Sequence, residues 1–309
     1  MFYINLANRN DFFYPRYLAI DETDRMVEKG HFEELHQLLE MINADEEKKK
    51  RRQNFVFSAT LSLVHVVPKH ILQKKRQKQM TSEEKLEEVI TLIGVKEKRK
   101  IVDLTRKVGT AETLVESRLH CSLEEKDFYL YYFNRQHAGR TLVFCNSIDC
   151  VRRLVNLMTY LQINPLGLHA QMHQKQRLKN LERFTEDPNG LLIATDVAAR
   201  GLDIPNVEHV VHYQVPKTSE SYVHRSGRTA RASKEGLSVI FIEPEENFSF
   251  KKLCKTLKRN EDDLPVFPVD RGVFTAVKDI VRVARELDKL KLGARKEVWS
   301  NMATVSSLH

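Results

Sequence analysis

Residues 191–203 read LLIATDVAARGLD, and the rest of the chain is organised around how this stretch folds. A short apolar run over 191–194 ends, and an acid, an arginine, a glycine and a second acid follow it closely. Such a run fits a strand buried on both faces of a parallel sheet. Gly201 permits a tight turn that lets Asp203 face back toward the sheet edge, although an Asp-capped structural turn would read the same way. Working outward, comparable runs fall at 17–20, 55–57, 100–104, 114–120, 141–145, 166–169, 209–213 and 237–242. They alternate with amphipathic patterns at 31–42, 122–136, 148–161, 173–184 and 219–229. That alternation predicts an α/β chain with helices on both faces of parallel sheets. The later runs complete a sheet by themselves, and the first three supply part of another.

A chain of 309 residues has room for about two domains. The expected boundary lies at 107–111, around Gly109, giving a first domain over 1–110, a second over 111–262 and an extension over 263–309. Within the first, 69–100 is a polar, basic excursion that reads as an insertion. Its stretch TSEEKLEEVITLIG predicts a helix capped by Thr81 or Ser82. The extension carries a second helical pattern at 275–292, rich in both charges.

Fifty Lys and Arg against 42 Asp and Glu leave a net charge of +8, which favours a polyanionic partner such as nucleic acid. The basic clusters at 48–52 and 74–78 could extend a nucleic-acid track, act as nuclear targeting signals, or simply be solvated loops. The four cysteines form no CxxC pair, which argues against a zinc site and for reduced, mostly buried thiols. His169 and His173 are four residues apart but straddle a strand-to-helix turn with no third ligand, so no metal is assigned to them. No apolar run approaches the roughly 18 residues of a membrane helix, and the start MFYINLANRNDFF lacks a signal-peptide pattern. An intracellular protein without membrane partners is expected.

Four segments fall at the carboxyl ends of predicted parallel strands, where open α/β sheets bind ligands. The first is DETD at 21–24: adjacent carboxylates suit phosphoryl chemistry, with Asp21 holding Mg²⁺ through water and Glu22 orienting the attacking water. Taken alone, such a tetrapeptide also reads as a helix cap. SAT at 58–60 follows, with hydroxyls on Ser58 and Thr60 able to relay a hydrogen-bond change or to cap a turn. ATDVAARGLD is the third. The fourth, HRSGRTAR at 224–231, places Arg225, Arg228 and Arg231 three residues apart, a spacing that on a helix lines them along one side to meet phosphate oxygens. A solvated basic helix would show the same spacing. None of the eleven glycines is followed by lysine, so the phosphate-cradling GxxxxGK[ST] does not occur in the sequence.

In order, DETD, SAT, LVFCNS, QKQR, ATDVAARGLD and HRSGRTAR resemble motifs II, III, IV, IVa, V and VI of the DEAD-box RNA helicases, over residues 17–257. The stretches KGHFEELHQLLEMIN (29–43), HAQMHQKQR (169–177) and HYQVPKTSESYVHRSGRTARA (212–232) are similar to the DEAD-box helicase 24 subgroup. The resemblance implies an ATP-dependent RNA helicase with two RecA-like lobes, the first incomplete and the second complete. It further implies ATP and Mg²⁺ as cofactors, RNA as partner, pre-ribosomal proteins as possible partners, and a nuclear, nucleolar setting in ribosome biogenesis.

By position, the resemblance makes Glu22, Arg228 and Arg231 catalytic and Asp21, Gly201 and Asp203 cofactor-binding, with the Mg²⁺ on Asp21 through water. Ser58, Thr60, Asp24 and His224 would couple the lobes, and Asn146, Gln174, Arg177, Thr195 and Arg200 would contact RNA. The family's P-loop would precede residue 1, so a chain lacking it is expected, with a non-catalytic RNA or pre-ribosome binding fragment as the alternative. Thr23 stands where the family has alanine.

Overall fold

The computed structural model describes residues 2–5, 15–23, 33–60, 82–104, 110–199, 202, 204–231 and 234–306. The chain divides into two compact units. One comprises Met1–Gly109 with Thr218–His224 and Lys255–Arg259; the other comprises Thr110–Lys217, Arg225–Cys254 and Asn260–His309.

The first unit holds β1 (Phe2–Asn5), β2 (Tyr17–Ile20), α1 (Glu33–Asn43), α2 (Glu46–Arg51), β3 (Gln53–Val56) and α3 (Ser82–Ile93). β2 and β3 pair in parallel, Tyr17 opposite Gln53 and Ile20 opposite Val56, and Phe57 N continues the ladder by donating to Ile20 O at 2.8 Å. β1 adds an antiparallel strand on the other side of β2, Phe2 opposite Ile20. The sequence reading missed it, because four residues outside any alternating pattern do not establish a period of two. The core repeats the expected spacings: Leu18 and Ile20 from one face of β2, Leu35 and Leu39 from α1, Val89 and Ile93 from α3. Residues 100–104 form no strand. A strand exists through its ladder, this run joins no strand ladder among the described residues, and Ile101, Val102 and Leu104 lie exposed.

The basic cluster at 48–52 divides between two roles. Its first four residues lie in α2, capped by Asp45, with Lys49 and Lys50 paired to Glu46 and Glu47 one turn back. Arg52 turns inward instead. Its Nη1 donates to Ile42 O at 3.2 Å, Nη2 to Ile93 O at 3.1 Å, and Nε to Asn54 Oδ1 at 2.8 Å, so it joins α1, α3 and β3. The cluster at 74–78 and the cap residue Thr81 lie outside the described residues.

The second unit is built on β4 (Leu114–His120), β5 (Thr141–Cys145), β6 (Pro165–Leu168), β7 (Leu191–Thr195), β8 (His209–His212) and β9 (Gly236–Ile242). Its strands are parallel throughout, in the order β4-β9-β8-β5-β7-β6. Every residue of β5 and β7 is buried, which is why both read as unbroken apolar runs. Its helices are α4 (Glu125–Gln136), α5 (Ile148–Tyr160), α6 (Gln174–Glu186), α7 (Asp196–Ala199), α8 (Ser219–Ser226, which begins among residues of the first unit), α9 (Asn247–Thr256) and α10 (Arg271–Ser306).

Two apolar layers cover the sheet. One contains Val143, Ile193, Val211 and Val239 with side chains of α4 and α5, and the other contains Leu142, Phe144, Leu192, Ala194 and Val210 with Phe184 of α6. The helix expected at 275–292 is longer, and Phe274, Val277, Val281 and Ala284 seat it on the first layer. Arg285 secures it further by donating to Asp127, a buried carboxylate that also receives Arg153 and the hydroxyl of Tyr213. Burial raises the Asp127 carboxyl, but these donors outweigh it and hold the group below its ordinary value. Among the described residues no helix is long and apolar enough to cross a membrane.

Candidate functional site

In the first unit the parallel pairing of β2 with β3 brings the predicted acids and hydroxyls to one sheet edge. Asp21 follows β2 directly, exposed, and its Oδ1 accepts a hydrogen bond from Glu22 N at 2.8 Å. Glu22 has a φ of 55°, a left-handed conformation that side-chain-bearing residues adopt at a cost and that turns the chain sharply off the strand. On the adjoining strand end, Ser58 is exposed and Thr60 buried, with Thr60 N donating to Ser58 Oγ at 3.3 Å. Thr23 ties the two strand ends together: its backbone N donates to Phe57 O at 3.2 Å and its Oγ1 to the same oxygen at 3.0 Å. Asp21 offers hard carboxylate oxygen at an open strand end, which suits a Mg²⁺ that keeps most of its waters. Among the described residues no group of three or more His, Cys, Asp or Glu could hold a metal.

The second unit gathers residues at the carboxyl ends of β5, β7 and β6, three adjoining strands. Asn146 follows β5, Thr195 is the buried last residue of β7, and Gln174 and Arg177 occupy the first turn of α6, after β6. Arg177 joins α6 to α7 by donating to Ala198 O at 3.1 Å. The chain reverses its direction across the sheet between β5 and β8, the switch point at which such sheets bind ligands. Polar side chains of the protein itself bridge that point. Gln214 Oε1, after β8, accepts from Asn146 N at 2.8 Å, and Asn146 Nδ2 donates to Val215 O at 2.9 Å.

Arg225 completes this bridge, and it corrects the expectation of three arginines along one helix side. It lies on α8, which ends at Ser226, whereas Arg228 and Arg231 follow in the turn beyond. Only 1% exposed, Arg225 reaches Asp196 through Nε at 2.6 Å and Nη2 at 2.8 Å, Asn146 Oδ1 at 2.7 Å and Gln214 O at 3.0 Å. A guanidinium so fully engaged holds the protein together and is not presented to a phosphate. Arg228 is largely buried, with Nη1 donating to Leu202 O at 2.9 Å, and Arg231 is exposed, with Nε donating to Gly227 O at 2.9 Å. The turn that carries them is pressed against the start of β9. A Cβ on Gly236 would come within 2.4 Å of Thr229 Oγ1 and 2.6 Å of Ala230 N, so only glycine fits there.

Behind the turn, His212 Nε2 lies 3.1 Å from both Ser226 Oγ and Ser238 Oγ. Complete burial, reinforced by the charge of Arg225, pushes this imidazole well below its ordinary value. His224 is half-buried on α8, in its portion grouped with the first unit. Asp24, Arg200, Gly201 and Asp203 lie outside the described residues.

Comparison with known proteins follows the same division. Residues 1–67 match the DEAD/DEAH box helicase model, and residues 124–233 match the helicase conserved C-terminal domain. The chain is also 58% identical over 274 residues to the human ATP-dependent RNA helicase DDX24. The chain belongs to the DEAD-box helicase family. That alignment covers 89% of the chain and 32% of the human protein, so the chain spans about a third of the length of such relatives. The ATP-dependent RNA helicase mak5 of Schizosaccharomyces pombe is 38% identical over 289 residues, covering 91% of the chain and 44% of that protein. Among solved structures, Mss116p bound to ssRNA and AMP-PNP aligns with a TM-score of 0.64 at 23% identity, over 88% of this chain and 52% of that one. At that identity the likeness establishes the RecA-like fold.

Within the DEAD-box frame, the threonine at 23 is accommodated because its hydroxyl finds the Phe57 carbonyl. The sequence reading missed Asp196, Gln214 and His212. Asp196 stood in plain view inside ATDVAARGLD, and its distance of 29 residues from Arg225 hid the pairing. Gln214 sits at a strand end without charge, and nothing in the local pattern marks it.

Proposed function

We propose that the protein to which this chain belongs is an ATP-dependent RNA helicase acting in ribosome biogenesis in the nucleolus. The observation that carries the RNA part is the placing of Gln174 and Arg177 in the first turn of α6, beside the strand ends that carry Thr195 and the braced Asn146, at the carboxyl ends of three adjoining strands. Polar and cationic groups spread along one edge suit a sugar-phosphate backbone, with little reading of sequence. In this reading the acids of the first unit serve ATP hydrolysis: Asp21 would hold Mg²⁺ through water, and Glu22 would orient the water that attacks the γ-phosphate. Arg228 and Arg231 would neutralise charge developing on that phosphate, and Asp203 would touch the nucleotide ribose. Ser58, Thr60, Asp24 and His224 would pass the nucleotide state to the RNA grip, with Arg200 a further RNA contact. The ribosomal and nucleolar setting, with pre-ribosomal proteins as partners, is supported by the subgroup resemblance.

One sequence fact favours a second reading for the chain by itself. It contains no GxxxxGK[ST], and Lys and amide groups of that kind hold the β- and γ-phosphates in this architecture. By itself, therefore, the chain would bind RNA without turnover.

Both readings meet in one pair of measurements. Anisotropy titration of a labelled single-stranded RNA should show binding that falls steeply as salt rises from 50 to 200 mM, on the order of tenfold or more. Gln174→Ala with Arg177→Ala should weaken it, and a salt-independent titration would sink the RNA grip. ATP hydrolysis should be absent from the chain and should appear, stimulated by RNA, when a segment bearing GxxxxGKT is fused upstream. Turnover by the chain alone that Arg228→Ala abolishes would overturn the division of labour proposed here.

A further inference from the structure

The C-terminal helix α10 has more apolar surface than its own unit covers. Phe274, Val277, Val281 and Ala284 face the core, as a helix packed along one stripe requires. Beside that stripe runs a second one. Val273, Ile280 and Leu287 recur every seven residues, with Val283 and Leu290 in the intervening positions, and they are 37%, 50%, 46%, 57% and 70% exposed, respectively. Steps of three and four over 280–290, extended one heptad back to Val273 across Ala276, make a seam of the kind that receives a partner helix. Its length is roughly 26 Å at the ordinary helical rise. Isolated exposed leucines are commonplace, but five large aliphatic residues aligned on one helix face form a contiguous patch.

The flanks of the seam select its occupant. On the side away from the core the seam is bordered by Asp279 and Glu286, both exposed. Asp279 lies 3.4 Å from Arg282 in a solvent-exposed pair one turn along the helix, a weak contact that leaves its carboxylate reachable. On the other side the helix already packs on its own unit. A second copy of the chain fits poorly against this arrangement. Antiparallel self-pairing would set Asp279 and Glu286 against Glu286 and Asp279 of the twin, and parallel self-pairing would drive the acid flank into the packed side of the twin. A partner helix with Lys or Arg along its flank meets both conditions.

We infer that the seam of α10 is a docking site for an amphipathic helix of another protein, its aliphatic edge seated on Val273, Ile280, Val283, Leu287 and Leu290 and its basic flank facing Asp279 and Glu286. The site is separate from the RNA- and nucleotide-handling residues. It therefore stands or falls independently of the helicase reading.

The test uses the full chain and two synthetic 21-residue helices with leucine along the seam, one flanked by lysine and the other by glutamate. Fluorescence anisotropy should show the lysine-flanked peptide binding at least tenfold more tightly, against the trend set by the chain's net charge of +8. Ile280→Lys with Leu287→Lys should abolish binding while leaving the circular dichroism melt unchanged, since both side chains are about half exposed. Asp279→Lys with Glu286→Lys, which leaves the seam intact, should reverse the preference toward the glutamate-flanked peptide. Equal affinity for the two peptides, binding by neither, or survival of binding in the seam variant would overturn the proposal. So would displacement of the peptide by single-stranded RNA, or a dimer in sedimentation that Ile280→Lys dissolves, which would assign the face to nucleic acid or to a second copy.

Discussion

At the end of β2, Asp21 is exposed and accepts a bond from the next residue's amide; at the ends of β5 and β7, Asn146 and Asp196 are bound from three directions by a buried arginine. The contrast follows from the sheets beneath. β2 is flanked by one antiparallel and one parallel neighbour, and β3 presents Phe55 and Val56 to solvent, whereas β5 and β7 are buried throughout. A carboxylate at an open strand end keeps its water and its freedom to take a metal. Asp196, partly buried, is instead held by the fully buried Arg225, a charge that must be paired because leaving it unpaired costs several kcal/mol. Acids of the same type are thus left open or used as braces according to their surroundings, and the chemistry proposed for Asp21 calls for the open kind.

The largest expected effect breaks the bracing. Arg225→Ala leaves Asp196 without its bidentate partner and Asn146 Oδ1 without its donor, and should destabilise the second unit by about 3 kcal/mol or more. Hydrogen exchange followed by mass spectrometry should show protection falling in peptides covering β5 and β7 while those covering β2 and β3 keep theirs. Arg225→Lys should recover little, since an ammonium cannot make the two-pronged contact. Equal loss of protection in both units would mean that the contrast drawn here is mistaken.

An intermediate effect uses pH. Burial lowers His212 well below its ordinary value, and it also lowers His120, His137 and His169, all in the second unit. A histidine with a depressed folded value is neutral in the fold while the unfolded chain takes up a proton. Stability is therefore complete above the unfolded value of about 6.5 and falls as pH drops toward the folded one. Each such proton removes about 1.4 kcal/mol per pH unit in that window. The urea midpoint of the second unit, followed by exchange in β8 and β9, should decline between pH 6.5 and 5.5, and His212→Gln should flatten the decline. A midpoint that holds steady or rises on acidification would show the imidazole to be charged in the fold.

Legibility in the sequence tracked burial. The runs at 17–20, 114–120 and 141–145 coincide with β2, β4 and β5, because burial on both faces, or alternation with one face inward, leaves a periodic trace. The run at 100–104 carried the same apolar signal but joins no strand ladder among the described residues, since composition reports what a segment can do and a ladder requires a partner strand. The motif segments were legible as candidates because their residue types are unusual at strand ends. What they do within the fold was less so: Arg225 and Arg228 look alike in HRSGRTAR, yet one is a buried strut and the other sits in a turn. Spacing of three residues predicted a shared helix face, and the helix stops after the first of them.

The smallest expected effect probes the open edge. Thr23→Ala restores the residue usual in the family and removes a buried hydroxyl whose acceptor, Phe57 O, is also held by Thr23 N at 3.2 Å. The acceptor stays satisfied, so the loss reduces to one methyl and one modest hydrogen bond, about 1 to 2 kcal/mol. Protection of β2 and β3 peptides should fall slightly, and RNA affinity, proposed above to reside in the second unit, should not move. If the substitution lowers RNA affinity severalfold, Thr23 belongs to the RNA-binding machinery and the acid edge is coupled to it even without nucleotide. If it leaves protection unchanged as well, the two strand ends are held by the backbone ladder alone.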